Sequence, residues 1–259
     1  MVLRGYFYSN MLQVDTRITF IAPEKIKPPL KVIYLLHGLI SNSDSWIDNT
    51  MLTVYSKAMN CLIVMPEVNR SFYCDMKYGQ KYFSYVSKEL PDYCSKLFTV
   101  SNKREDIAIM GGSMGGFGAL KVAFSNPNKY GHCYAFAPSC LDAKKFLSEI
   151  TDKSKENYII SKWGEQFLID FKSILGDKLE YDEDFDVFEL AKKAQHSKDK
   201  PRVHISCGKQ DWLIKENREF AQKMNDVNVN FEFVETDGKH DWYYFDKALK
   251  NALEACFNC

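Results

Sequence analysis

Ala108-Ile109-Met110-Gly111-Gly112-Ser113-Met114-Gly115-Gly116-Phe117-Gly118-Ala119 decides how the rest of the chain is read. It holds Gly-x-Ser-x-Gly as Gly111, Ser113 and Gly115. An apolar, partly β-branched run precedes it and a helix-compatible run follows. That is the context of a nucleophile elbow, a strained turn from strand to helix that lifts a serine oxygen clear of the backbone. Small neighbours are needed because a Cβ beside the turn would collide with the adjoining strand or helix. The turn also aims the amide of Met114 at the place where an oxyanion would form.

Working outward, Leu30 to Leu36 and Cys61 to Met65 read as buried strands, and Asp106 to Met110, Cys133 to Ala137, Arg202 to Ser206 and Val229 to Val234 as further strands. Helices are expected after Trp46, from Tyr82 to Leu97 with Pro91 either kinking it or opening a second helix, and from Ser113 to Ser125. Two more fit Ile214 to Met224 and Asp241 to Phe257. Tyr6 to Ile21 reads as two antiparallel strands. Strands alternating with helices from residue 30 onward predict an α/β fold with a mostly parallel central sheet and helices on both faces. Ser139 to Lys200 breaks the pattern with dense charge and scattered aromatics. It carries short helices near Ala143 to Ile150 and Val187 to Ala194, and too few apolar residues for its own core. The expectation is one domain over 1–259 with an insertion, a cap, at 139–200.

The 259 residues include 34 basic and 34 acidic side chains, so the net charge is zero and nothing favours nucleic acid or an anionic membrane as partner. The N-terminus lacks a signal-peptide pattern and no stretch reaches the apolar length of a membrane span, which makes the cytoplasm the default location. A homo-oligomer is left open. The eight cysteines show no zinc pattern, and Cys256 with Cys259 reads as incidental or structural rather than redox-active. No metal or organic cofactor is expected.

A serine hydroxyl needs a base, and in this chain order the base comes last. Among His37, His132, His196, His204 and His240, only His240 sits in a loop after the final strand. The carboxylate that orients it should follow the strand before. Asp211, in Cys207-Gly208-Lys209-Gln210-Asp211, is preferred there, with Asp237 and Asp241 as rivals. His37-Gly38-Leu39 ends an early strand, and the Leu39 amide is the candidate second oxyanion donor beside Met114. His37 itself reads as a hydrogen-bonding partner of its loop.

Taken together, His37-Gly38-Leu39, Gly111 through Lys121, Cys207-Gly208 with Asp211, and Lys239-His240-Asp241-Trp242 make the chain resemble the Putative esterase family of α/β-hydrolases. Asn69 through Gly79 and Glu89-Leu90-Pro91 look closest to its tributyrin esterase branch. Gly112 departs from the larger apolar residue common in the family. The resemblance implies an α/β-hydrolase fold, Ser113, Asp211 and His240 as a triad, and Leu39 and Met114 as the oxyanion hole. It implies a serine carboxylesterase for short-chain or carbohydrate-linked acyl esters, of acetyl or feruloyl type. An S-formylglutathione hydrolase-type thioesterase is the alternative, and a non-catalytic binding protein on the same scaffold the third reading. Trp242 and Tyr73 are candidate substrate contacts. The insertion's Tyr158, Trp163, Phe167 and Phe171 could wall a pocket or simply pack.

Overall fold

Alternation along single strands sets the two faces of the sheet. On the strand Lys31–Leu36, Val32, Tyr34 and Leu36 fall in one buried cluster, while Ile33 and Leu35 fall in the other. A strand buried on both sides needs cover on both sides, and helices supply it. The computed structural model describes residues 1–258. Its strands are β1 (Val2–Ser9), β2 (Val14–Ile21), β3 (Lys31–Leu36), β4 (Cys61–Pro66), β5 (Ile107–Gly112), β6 (His132–Phe136), β7 (Arg202–Gly208) and β8 (Glu232–Thr236). They form an eight-stranded sheet in the order β1-β2-β4-β3-β5-β6-β7-β8. The β1–β2 and β2–β4 pairings are antiparallel, and the rest are parallel.

The helices are α1 (Ser45–Asn49), α2 (Leu52–Tyr55), α3 (Tyr82–Ser84), α4 (Leu90–Leu97), α5 (Met114–Ser125), α6 (Ala143–Thr151), α7 (Glu156–Trp163), α8 (Glu165–Leu175), α9 (Val187–Gln195), α10 (Ile214–Asp226) and α11 (Trp242–Ala255). Helix α5 and the four helices α6–α9 between β6 and β7 share the larger buried cluster. Helix α11 and Trp46 of α1 belong to the cluster on the other face. The segment between β6 and β7 therefore adds its apolar side chains to the core of the sheet.

Pro91 lies in the first turn of α4, and the turn before it, Tyr85–Glu89, is π-helical. Proline lacks the N–H that would bond the carbonyl of Ser87. The Lys129 ammonium bonds that carbonyl instead, at 2.8 Å.

Two sequence expectations need correction. The last strand begins at Glu232, not Val229, because the Val229 amide closes the end of α10 on the Met224 carbonyl at 3.0 Å. Helices α7 and α8 add to the two helices expected between β6 and β7. Their apolar positions, Ile159, Ile160 and Trp163, then Phe167, Leu168, Phe171, Ile174 and Leu175, do carry helical spacing. Gly164, at φ +81°, breaks the run between them. Of the C-terminal cysteine pair, Cys256 is buried and Cys259 lies outside the described residues.

Candidate active site

Ser113 has φ 56° and ψ −120°, in a region that non-glycine residues rarely occupy. Its amide donates to the Phe136 carbonyl of β6 at 2.9 Å, and its carbonyl accepts from Phe117 of α5 at 3.0 Å. The turn is held from both sides, so the strain persists. A Cβ at Gly111 would stand 2.3 Å from the Gly115 carbonyl oxygen, and one at Gly115 would stand 2.3 Å from that of Leu36. Neither position admits a side chain. At Gly112 a Cβ would meet the Phe245 ring at 3.0 Å, so the bulk lost at this residue is supplied by α11.

The other two residues arrive on loops that are laced together. A Cβ at Gly208 would reach the Gly238 carbonyl at 2.3 Å, so the chains after β7 and β8 are in direct backbone contact. The Gln210 amide donates to the Gly238 carbonyl at 3.0 Å, and the Gly238 amide donates to Gln210 Oε1 at 2.7 Å. That lacing brings Asp211 to His240, 29 residues away, with Oδ2 to Nδ1 at 2.8 Å. The His240 Nε2 to Ser113 Oγ distance is 3.0 Å. Asp211 is buried, and its Oδ1 accepts the Leu213 amide at 2.8 Å. A carboxylate at Nδ1 keeps the proton there and leaves Nε2 to accept from the serine hydroxyl. The rival acids are occupied elsewhere. Asp237 pairs with Lys209 at 3.6 Å, and Asp241 caps α11 by accepting the Tyr244 amide at 3.0 Å.

The loop carrying Leu39 passes directly over the elbow. A Cβ at Gly38 would lie 3.8 Å from Ser113 Cβ. Three side chains pin this loop from behind. Trp46 Nε1 donates to the Leu36 carbonyl at 2.9 Å, and the Tyr73 hydroxyl donates to the His37 carbonyl at 2.8 Å. The buried His37 ring bonds the Gly38 carbonyl through Nδ1 at 2.8 Å and takes the Val68 amide on Nε2 at 3.1 Å. Among the described residues the Leu39 and Met114 amides have no acceptor within the protein, and both residues line the cavity above Ser113.

That cavity measures about 980 Å³. Trp242, expected as a substrate contact, lines it and meets Trp46 edge to face at 5.3 Å. Tyr73 is corrected: it is fully buried, does not line the cavity, and serves the loop behind the site. Its neighbour Phe72 lines the cavity instead. Tyr158, Trp163 and Phe167 line it too, whereas Phe171 packs beneath, 4.7 Å from Phe72 and 4.5 Å from Phe146. Sequence reasoning missed Trp212, whose ring lies 5.1 Å from that of His240. Its place immediately after Asp211 was the available signal. Cys140 also lines the cavity, but burial pushes its thiol well above the ordinary value, so it is no rival nucleophile.

The model of the Putative esterase family matches residues 9–256. An acetyl esterase of Caldicellulosiruptor saccharolyticus is 28% identical over 98% of this chain and 97% of its own length. Two solved Staphylococcus aureus structures superpose over 100% of this chain and 99% of theirs, each at 28% identity. One is the fluorophosphonate-binding serine hydrolase FphF, with a TM-score of 0.86; the other is the S-formylglutathione hydrolase FrmB, with 0.84. The chain belongs to the Putative esterase family and is a carboxylic ester hydrolase on the α/β-hydrolase fold.

Proposed function

We propose that Ser113 is the nucleophile, His240 the base, Asp211 its orienting carboxylate, and the Leu39 and Met114 amides the oxyanion donors. The substrates are short-chain or carbohydrate-linked acyl esters, in keeping with the acetyl esterase relative. The single observation carrying this reading is the hydrogen-bonded chain from Asp211 through His240 to Ser113 on the floor of the cavity.

His240 Nε2 takes the Ser113 proton as Oγ attacks the ester carbon. Negative charge gathers on the carbonyl oxygen, where the two amides receive it. His240 then returns its proton to the departing alcohol, leaving an acyl-Ser113. Water, deprotonated by the same nitrogen, releases the acid and restores the serine. Asp211 steadies the imidazolium in both halves. Every step is performed by these side chains and amides.

Helices α6–α9 act as a cap that selects what reaches Ser113. The likeness to FrmB favours one further reading, a thioesterase for S-formylglutathione, with the same atoms at work. Hydrolysis of p-nitrophenyl acetate and butyrate, with fluorophosphonate labelling of the serine, tests the main reading. Absence of both signals in the purified protein would overturn it. Turnover of S-formylglutathione far above that of p-nitrophenyl acetate would move the assignment to the thioester.

A further inference from the structure

In ester hydrolysis the histidine must hand its proton to the leaving oxygen, so the alcohol half of the substrate departs on the His240 side of the site. The oxyanion amides belong to the loop after β3, at Leu39, and to the start of α5, at Met114. Trp212 is therefore the first surface the alcohol meets, with its ring 5.1 Å from that of His240 and about half exposed. Trp163 of α7 extends it, at 4.9 Å between ring centroids.

Lys162 lies over this pair. Its ammonium is 4.9 Å from the Trp163 ring centre, 5.2 Å from that of Trp212 and 6.0 Å from that of Tyr158. Three aromatic faces restrict a side chain that would otherwise sweep freely. Lys162 lines the cavity and forms no ion pair among the described residues. Three of the other charged groups on the cavity wall have partners elsewhere. Arg70 pairs with Asp170 at 2.7 Å. Glu216 accepts the Leu141 amide at 2.6 Å, and Asp241 caps α11. Glu149, on the same wall, forms no ion pair among the described residues. Lys155, a second lysine on the cavity wall, also lacks an ion pair.

Resting on the esterase reading, we infer that the leaving group of the natural substrate carries a negative charge, and that Lys162, held over Trp163 and Trp212, receives it. The substrate class is an ester whose alcohol half bears a carboxylate, with its body lying against the Trp212 ring. Lys162 acts on binding and selection. It transfers no proton and forms no bond to the acyl group.

The test uses two acetyl esters that differ at one distant group: 4-acetoxybenzoate, which is anionic, and methyl 4-acetoxybenzoate, which is neutral. The readout is the ratio of their kcat/KM values, which cancels changes common to both. Lys162→Met should lower the anionic-to-neutral ratio about tenfold, the scale of one charge-assisted hydrogen bond. Lys162→Arg should restore it, and Lys162→Glu should push it below the Met variant. The wild-type ratio should fall with added salt, and that of Lys162→Met should not. A ratio unmoved in Lys162→Met and Lys162→Glu would overturn the inference while leaving the esterase reading intact. A wild type that hydrolyses neither ester would overturn both.

Discussion

The floor of the site and the cap above it are built by different means. On the floor, backbone meets backbone: Gly115 against Leu36, Gly208 against Gly238, and the Ser113 amide on the Phe136 carbonyl. Where the cap meets the rest of the site, rings meet rings: Phe171 touches Phe72, Phe146 and Phe167, and Trp163 meets Trp212. Backbone contacts of this kind tolerate no added atoms, so they fix reacting groups to within fractions of an ångström. Aromatic packing of helices keeps its volume while allowing the exposed face to change. On the proposed function, the difference separates chemistry from choice: the floor would set the reaction, and helices α6–α9 would set which ester undergoes it.

That division can be broken by experiment. Ser113→Ala should remove about six orders of magnitude of kcat on p-nitrophenyl acetate and abolish fluorophosphonate labelling, while thermal unfolding stays close to wild type. Asp211→Asn should lower kcat about 10⁴-fold, because the amide favours the wrong imidazole tautomer. Activity near wild type in that variant would return the acid's role to Asp237 or Asp241. Phe171→Ala removes a ring of α8 that touches none of the proposed reacting groups. A fully buried ring lost from an aromatic cluster costs about 3–5 kcal/mol, seen as a lower midpoint in thermal or urea unfolding. If labelling of the folded fraction slowed as far as in Asp211→Asn, floor and cap would not be separable.

The smallest expected effect lies at their junction. Burial raises the Glu216 carboxyl to about 7, against hydrogen bonds from the Leu141 and Asp142 amides that pull it down. Its proton is held more tightly in the folded chain than in the unfolded one. Its stabilising contribution is therefore complete below pH 4.5 and is lost as pH rises through about 7. Glu216→Gln removes this titration. The variant should lose that part of the pH dependence of unfolding between pH 5 and 8, and should gain about 2 kcal/mol over wild type at the upper end. Equal pH slopes for the two proteins would show that Glu216 titrates normally.

The elbow was legible because its requirements are local. A Gly-x-Ser-x-Gly between a buried strand and a helix states both the turn and its cause within five residues. The preference for Asp211 and His240 followed from chain direction, since loops at one end of a parallel sheet converge, whereas the strand order of the sheet was not legible. Tyr73 illustrates the limit. An aromatic in a loop near the site reads as a substrate contact, yet its hydroxyl faces backward to the His37 carbonyl and Phe72 faces the cavity. Which of two adjacent rings points inward depends on backbone angles that no local pattern reveals: both have positive φ, 48° at Phe72 and 53° at Tyr73.

The sequence by itself determined the alternation of strands and helices, the serine turn and the order of the candidate triad residues along the chain, because periodicity, glycine and chain direction are written into the chain itself. Only the tertiary structure decided the register of the last strand, the two central cap helices, the inward face of the Phe72–Tyr73 loop and the meeting of Trp212, Trp163 and Lys162 beside His240. Those features depend on segments far apart in the chain filling one shared volume, and the shape of that volume exists only after all of them have packed.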